Sequence, residues 1–149
     1  MAVVVKNRRA YRDYFIHDRY EAGISLKGTE IKSIRQGKVQ IADAYISFQN
    51  DEAYIKNMHI AAYDHGNRFN HVEDRDRKLL LHRREIDRLM RSQNREGYTI
   101  IPLAIHLNER GLAKVEIAIA KGKHLYDKRE TEKKRSMQRD IERAMKNRY

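Results

Sequence analysis

The chain contains no cysteine. That single absence excludes disulfides, thiolate zinc sites and a cysteine nucleophile. Long apolar runs are also missing. The longest stretch without a formal charge, Gly97 to Asn108, is far too short to span a bilayer, so no membrane partner is expected. Proline occurs once, at position 102, and glycine seven times in 149 residues. No internal repeat is present. The first residues, MAVVVKNRR, offer too short an apolar segment for a signal peptide, and a cytoplasmic location is the expectation.

What the chain does have is charge. Lys and Arg number 32 against 21 Asp and Glu, a net charge of +11, while hydrophobic residues still make up 40% and permit a packed core. The excess is uneven. Residues 121–149 carry 11 basic and 5 acidic side chains, net +6, and the first 120 carry 21 and 16, net +5. Such a distribution points to a polyanionic partner gathered mainly by the C-terminal segment.

Periodicity sketches a mainly β fold with inserted helices. Tyr14, Ile16, Tyr20, Ala22, Ile24 and Leu26 fall on even positions, a strand interrupted by a bend or bulge at Asp18 and Arg19. GTEIKSIRQG predicts a two-turn helix, with Thr29 as N-cap and Gly37 just past its end. AYISFQ and EAYIKNMHI flank the turn pair Asn50-Asp51 and predict a hairpin. A second hairpin is read from the alternating Ile101, Leu103, Ile105 and Leu107, the turn NERG, and Leu112 to Ile119, with Pro102 near a strand start. Asp64 to Asp76 is too polar for core. Lys78 to Gly97 reads as a helix on the Ile86, Leu89, Met90 stripe, although Leu79 to Leu81 also suits a short strand. Five or six strands of this kind suit a small Greek-key barrel of the OB type over residues 1–122. Residues 123–149 form a basic tail, in which the larger apolar residues from Asp127 onward, Met137, Ile141, Met145 and Tyr149, recur every fourth position. That narrow stripe predicts a segment disordered alone and helical when bound.

Catalytic patterns fail one by one. GISLKGTE has P-loop glycine spacing but ends in Thr-Glu where a lysine must reach the outer phosphates. No two histidines stand four apart, so the HExxH zinc pattern is absent. The most enzyme-like cluster is His65, His71, Asp74 and Asp76, which a metal nuclease could use. Binding features carry more information. Basic residues alternate with aromatics in NRRAYRDYF, and glycine-spaced cations recur in KSIRQGK and AKGKH, a composition suited to phosphates and exposed bases. No RRM, KH or zinc-finger signature is present. Shape-directed RNA binding by a small barrel is therefore the reading from residues alone.

Taken in order, several blocks resemble the SsrA-binding protein (small protein B) family, the bacterial partners of transfer-messenger RNA. They are NRRAYRDYFI, YEAGISLKGTEIKSIRQGKV, the stretch ending in NMHI followed by YDHGNRFNH, RKLLLHRREIDRL, and AKGKHLYDKRE with its basic tail. The resemblance implies an OB-like barrel that grips the tRNA-like part of transfer-messenger RNA. It implies entry into stalled ribosomes, where the tail occupies the empty message channel beside the decoding centre of the small-subunit RNA. It implies no catalysis, no cofactor and no metal, a monomer, and indirect dependence on elongation factor Tu and alanyl-tRNA synthetase. By position, Asn7, Glu21 and Leu80 match residues associated with RNA binding, and Arg8 and Lys78 lie beside them. Glu30, Lys32, Ser33, Arg35 and Lys38 fall in the GTEIKSIRQGK block, and Lys121, Gly122 and Lys123 in the linker. Tyr126, Asp127, Lys128 and Arg129 match the part near the decoding centre, with Met137, Ile141 and Met145 in the channel. His124 departs from the family, which usually has Lys there. The alternatives are a ribosomal or assembly protein that binds ribosomal RNA permanently and, third, the metal nuclease.

Overall fold

Two ten-residue strands rich in β-branched residues, joined by a turn of fitting chemistry, form the centre of the molecule. The computed structural model of the protein describes residues 2–64 and 70–123. Its elements are β1 (Ala2–Lys6), α1 (Arg8–Asp13), β2 (Tyr14–Ile24), α2 (Gly28–Arg35), β3 (Val39–Gln40), β4 (Tyr45–Gln49) and β5 (Glu52–Lys56). There follow β6 (His59–Ile60), β7 (Arg77–Leu80), α3 (Arg83–Gln93), β8 (Tyr98–Leu107) and β9 (Ala113–Gly122). In the β8–β9 turn, Asn108 Oδ1 accepts from the amides of Arg110 (2.9 Å) and Leu112 (3.0 Å), and Gly111 takes the φ of +76° that the reversal requires. In the β4–β5 turn, Asn50 and Asp51 have φ of 52° and 62°, the paired positive values of a two-residue hairpin.

The main sheet is antiparallel throughout, with order β1-β8-β9-β2-β7-β5-β4, and a separate ribbon pairs β3 with β6. The sheet rolls until β4 lies against β8, giving the expected mainly β barrel. Inside it pack Ile46, Ile55, Leu79, Ile100, Ile105, Val115, Ile117 and Ile119, together with Ile34 from α2 and Leu89 from α3. Gln93 Nε2 donates to the Ile46 carbonyl (3.1 Å) and ties the end of α3 to β4. Each fully buried Ile or Leu side chain contributes about 1.5–3 kcal/mol by leaving water.

Several sequence expectations are corrected. Pro102 is interior to β8, where a bulge between Pro102 and Ala104 absorbs the missing donor. The bulge also flips the alternation: Ile100 and Ile105 face the barrel core, whereas Ile101 and Leu103 face a second, smaller core outside it. There Ala118 and Ala120 of β9 leave room for α1 to sit on the sheet through Ala10 and Tyr11, beside Tyr14 and Ile16 of β2. Neither α1 nor β1 is legible in the sequence. The register shift between Ile16 and Arg19 is the break expected near Asp18. The helix expected over Lys78 to Gly97 is only α3, preceded by β7. The strand reading of EAYIKNMHI ends at Lys56, because Asn57 has φ of 60° and turns the chain. Thr29 does not cap α2. Glu30 Oε1 accepts the Lys27 amide (2.7 Å), while the Thr29 hydroxyl pairs with His71 Nδ1 (2.9 Å). Gly37, at φ +75°, follows the helix end as expected.

Candidate nucleic-acid interface

On the outer face of the sheet, four side-chain positions stand in one row. His106 of β8 is paired with Lys114 of β9, Lys114 with Gly23 of β2, and Gly23 with Leu80 of β7. Directly opposed residues of antiparallel strands point to the same side. Ala22, Leu79, Ile105 and Val115 point into the core, so their neighbours in this row point out. The glycine matters here. A Cβ at Gly23 would meet the Leu80 Cβ at 3.2 Å, so only glycine leaves an open saddle between Lys114 and Leu80. Leu80 is 55% exposed, and Leu112 at the hairpin end is 53% exposed. Glu21, two residues before Gly23, is half exposed, and His106 Nε2 lies 2.7 Å from its Oε1. Beyond the row, Arg35 Nη2 donates to the Gly111 carbonyl (3.2 Å), which leaves the remaining guanidinium donors for another acceptor. This end therefore offers apolar contact, a held carboxylate and cations, all fixed on strands or a helix end.

The expected site residues divide sharply. Glu21, Leu80 and Arg35 gather around the row just described. Lys78, on the same face of β7 as Leu80, is 3.5 Å from Glu52. Lys32 lies with its Nζ 5.5 Å from the Tyr63 ring centroid, and Lys38 is 2.9 Å from Asp64. Arg8 is exposed on α1. Lys121 and Lys123 lie at the other end of the barrel. Lys121 is seven residue steps along β9 from Lys114, about 23 Å at strand rise. Tyr126, Asp127, Lys128, Arg129, Met137, Ile141 and Met145 lie outside the described residues, as does the tail whose order was anticipated above. Lys114, Leu112 and His106 were missed in the sequence. Alternation marks them as outward-facing, but only the register places them beside Gly23.

Four expected contact residues are buried. Gly122 is buried where β9 ends, and Ser33 is inaccessible on the inner side of α2. Glu30 is fully buried in an ion cluster. Its Oε1 accepts from Arg75 Nη2 (2.5 Å) and the Lys27 amide, and its Oε2 from Arg75 Nε (3.1 Å) and Arg77 Nε (2.5 Å). Those four bonds fill the capacity of a carboxylate. Burial pushes the Glu30 carboxyl up, but the Arg75, Lys27 and Arg77 donors outweigh it and hold the group below its ordinary value. Arg77, fully buried as well, is pulled down by burial, which Glu30 opposes. Its other donors reach the carbonyls of Met58 (2.7 Å) and Glu73 (2.9 Å).

Asn7 is the fourth. Its Oδ1 caps α1 at the Ala10 amide (3.1 Å), and its Nδ2 donates to the Pro102 carbonyl (2.9 Å) at the β8 bulge. Its side chain therefore joins α1 to the β8 bulge. Asn7→Ala should lower stability by about 2 kcal/mol, combining a lost cap with an unpaired buried carbonyl. Asn7→Asp keeps the cap acceptor but sets a buried carboxylate oxygen against the Pro102 carbonyl, and should be no more stable than Asn7→Ala in denaturant unfolding. Equal stability of all three would remove this role.

Among the described residues, the metal-nuclease cluster does not assemble. Both ring nitrogens of His71, a buried residue in a segment expected to be too polar for core, are engaged by Thr29 and the Ile60 carbonyl (2.8 Å). Asp74 pairs with His59 (2.9 Å), Asp76 lies 3.8 Å from Lys56, and His65 is outside the described residues. Among the described residues, no three His, Asp or Glu side chains are placed to hold a metal, and no helix is long and apolar enough to cross a membrane.

A family model described as SmpB protein matches residues 4–147. An SsrA-binding protein of Moorella thermoacetica is 54% identical over 146 residues, covering 98% of this chain and 94% of that one. One from Acholeplasma laidlawii is 53% identical, with 98% and 97% coverage. Among solved structures, a chain described under "tmRNA-SmpB: a journey to the center of the bacterial ribosome" is 47% identical. It superposes with a TM-score of 0.70 over 83% of this chain and 85% of that one. With the family model spanning nearly the whole chain and relatives at half identity over its full length, the chain belongs to the SmpB protein family.

Proposed function

We propose that this chain is an SsrA-binding protein: it binds transfer-messenger RNA and acts with it on the ribosome in trans-translation. The observation that carries the reading is the separation of two surfaces on one rigid barrel. The row His106–Lys114–Gly23–Leu80, with Glu21 and Arg35, suits the folded tRNA-like domain. It offers a shallow saddle for a ribose–phosphate backbone, cations for phosphates, and a carboxylate that accepts hydrogen bonds from base or 2′-hydroxyl groups. The opposite end holds Lys121, Gly122 and Lys123 and leads into the basic residues 123–149, which suit the message channel and decoding centre. The barrel ending at Gly122 and the tail are two functional parts. The chain contributes binding and positioning without chemistry of its own. Elongation factor Tu and alanyl-tRNA synthetase act on the charged RNA and meet this protein only through the complex. Work on ribosomes places it in the cytoplasm.

The test is affinity for the tRNA-like domain. Glu21→Ala should weaken binding by roughly 1–3 kcal/mol, the range for losing a hydrogen bond to a charged group. Glu21 is half exposed, so the melting temperature should not move. Arg35→Ala should lower affinity and flatten the log–log salt dependence by about one. Unchanged affinity in both variants would take the RNA off this face.

A further inference from the structure

At the end of the barrel where β9 finishes, a second in-register row crosses three strands. Phe15 of β2 is paired with Lys121 of β9, and Lys121 with Tyr98 of β8. The row continues the alternation of Ile117 and Ile119, so it lies on the core side of the sheet, one step past the Ile100–Ile119 pair and at the barrel's mouth. Phe15 is 54% exposed, a large apolar ring left in water. Lys123 Nζ lies 4.8 Å from its centroid. Arg95 Cζ lies 4.6 Å and Lys121 Nζ 5.7 Å from the Tyr98 ring centroid, and the His17 ring extends the surface at 5.6 Å, tilted by 42°.

We propose that this mouth is a stacking platform for single-stranded RNA, with an unstacked base on the Phe15 ring and its flanking phosphates on Lys121, Lys123 and Arg95. The charge selects the partner: the Phe15 and Tyr98 rings each have a cation beside them, and the segment that begins at Lys121 has net charge +6. Cation–π contacts at exposed sites are weak, so a nucleotide exchanges them at small cost, its base taking the ring and its phosphates taking the cations. The single-stranded form follows from geometry, since a base inside a duplex has both faces covered and cannot reach a ring fixed on a strand. The platform is about 23 Å from the Leu80 row by strand rise and acts independently of it.

The experiment uses the full chain and three labelled probes at one salt concentration: a twelve-nucleotide oligoadenylate, the same strand annealed to oligouridylate, and the tRNA-like domain. Phe15→Ala should weaken oligoadenylate binding by roughly 5- to 100-fold, the range for one aromatic–base stack. The other two probes should change less than about twofold, and Phe15→Trp should restore the loss. Lys123→Ala should flatten the oligoadenylate salt dependence by about one and decides the matter should Phe15→Ala melt early. Unchanged oligoadenylate binding in a folded Phe15→Ala and in Lys123→Ala overturns the proposal, and so does equal weakening of all three probes. It is also overturned if deleting residues 124–149 raises oligoadenylate affinity only when Phe15 is present, because the chain itself would then be the ring's occupant. Failure of the parent chain to bind the tRNA-like domain would instead sink the function proposed above and leave this platform standing.

Discussion

Glu30→Gln is expected to destabilise the fold by about 3–5 kcal/mol, the cost of leaving buried charge uncompensated. Glu30 receives Arg75 and Arg77 at once, and Arg77 is itself fully buried. Removing the negative charge leaves two guanidinium groups facing each other where water cannot reach Arg77. Urea unfolding should read the loss as a lower midpoint with an unchanged slope, and melting should fall by roughly 10 °C or more. The same group gives the parent chain an acid dependence. Its carboxyl is held below the ordinary value of 4.5, so the folded state binds fewer protons there than the unfolded one. The stabilisation is therefore complete above that ordinary value and is lost as the pH falls through the lowered folded one. Glu30→Gln should show a flatter decline of stability across that acid window than the parent. Parallel declines, or a fully stable variant, would show that the cluster is not what joins α2 to β7.

The second large effect concerns the tail. A chain ending at Gly122 should fold and bind the tRNA-like domain with nearly parental affinity. Every described core residue precedes Gly122, and the Leu80 row is at the far end of the barrel. Tagging on stalled ribosomes should nevertheless be abolished, because the charge that would fill the message channel is gone. Substituting Asp127, Lys128 and Arg129 together should reproduce much of that loss. The comparison that decides is RNA affinity beside tagging for the same truncated protein. Lost RNA binding, or intact tagging, would end the division between barrel and tail.

Much of the local structure was written in the sequence because local signals act over a few residues. Asn50-Asp51 and Gly37 are residue types that tolerate the positive φ their turns require, alternation builds β9 from Ala113 to Ile119, and the charge of residues 121–149 requires no fold to attract RNA. Tertiary structure decided what depends on partners distant in sequence. GTEIKSIRQGK reads as a short helix with Ile31 and Ile34 on one face, yet Glu30 and Ser33 are inside with Ile34, and Lys32 and Arg35 outside. The arginines that bury Glu30 come from 45 and 47 residues away. Asn7 reads as part of a basic cluster but spends its hydrogen bonds on a bulge 95 residues on. The bulge itself, at the only proline, reverses which of Ile101 and Ile105 faces the barrel. The same holds for both surfaces assigned here. Gly23, Leu80, His106 and Lys114 share no local pattern, nor do Phe15, Tyr98 and Lys121. Each set exists only because strand register, fixed by which apolar face must leave water, lines them up across the sheet.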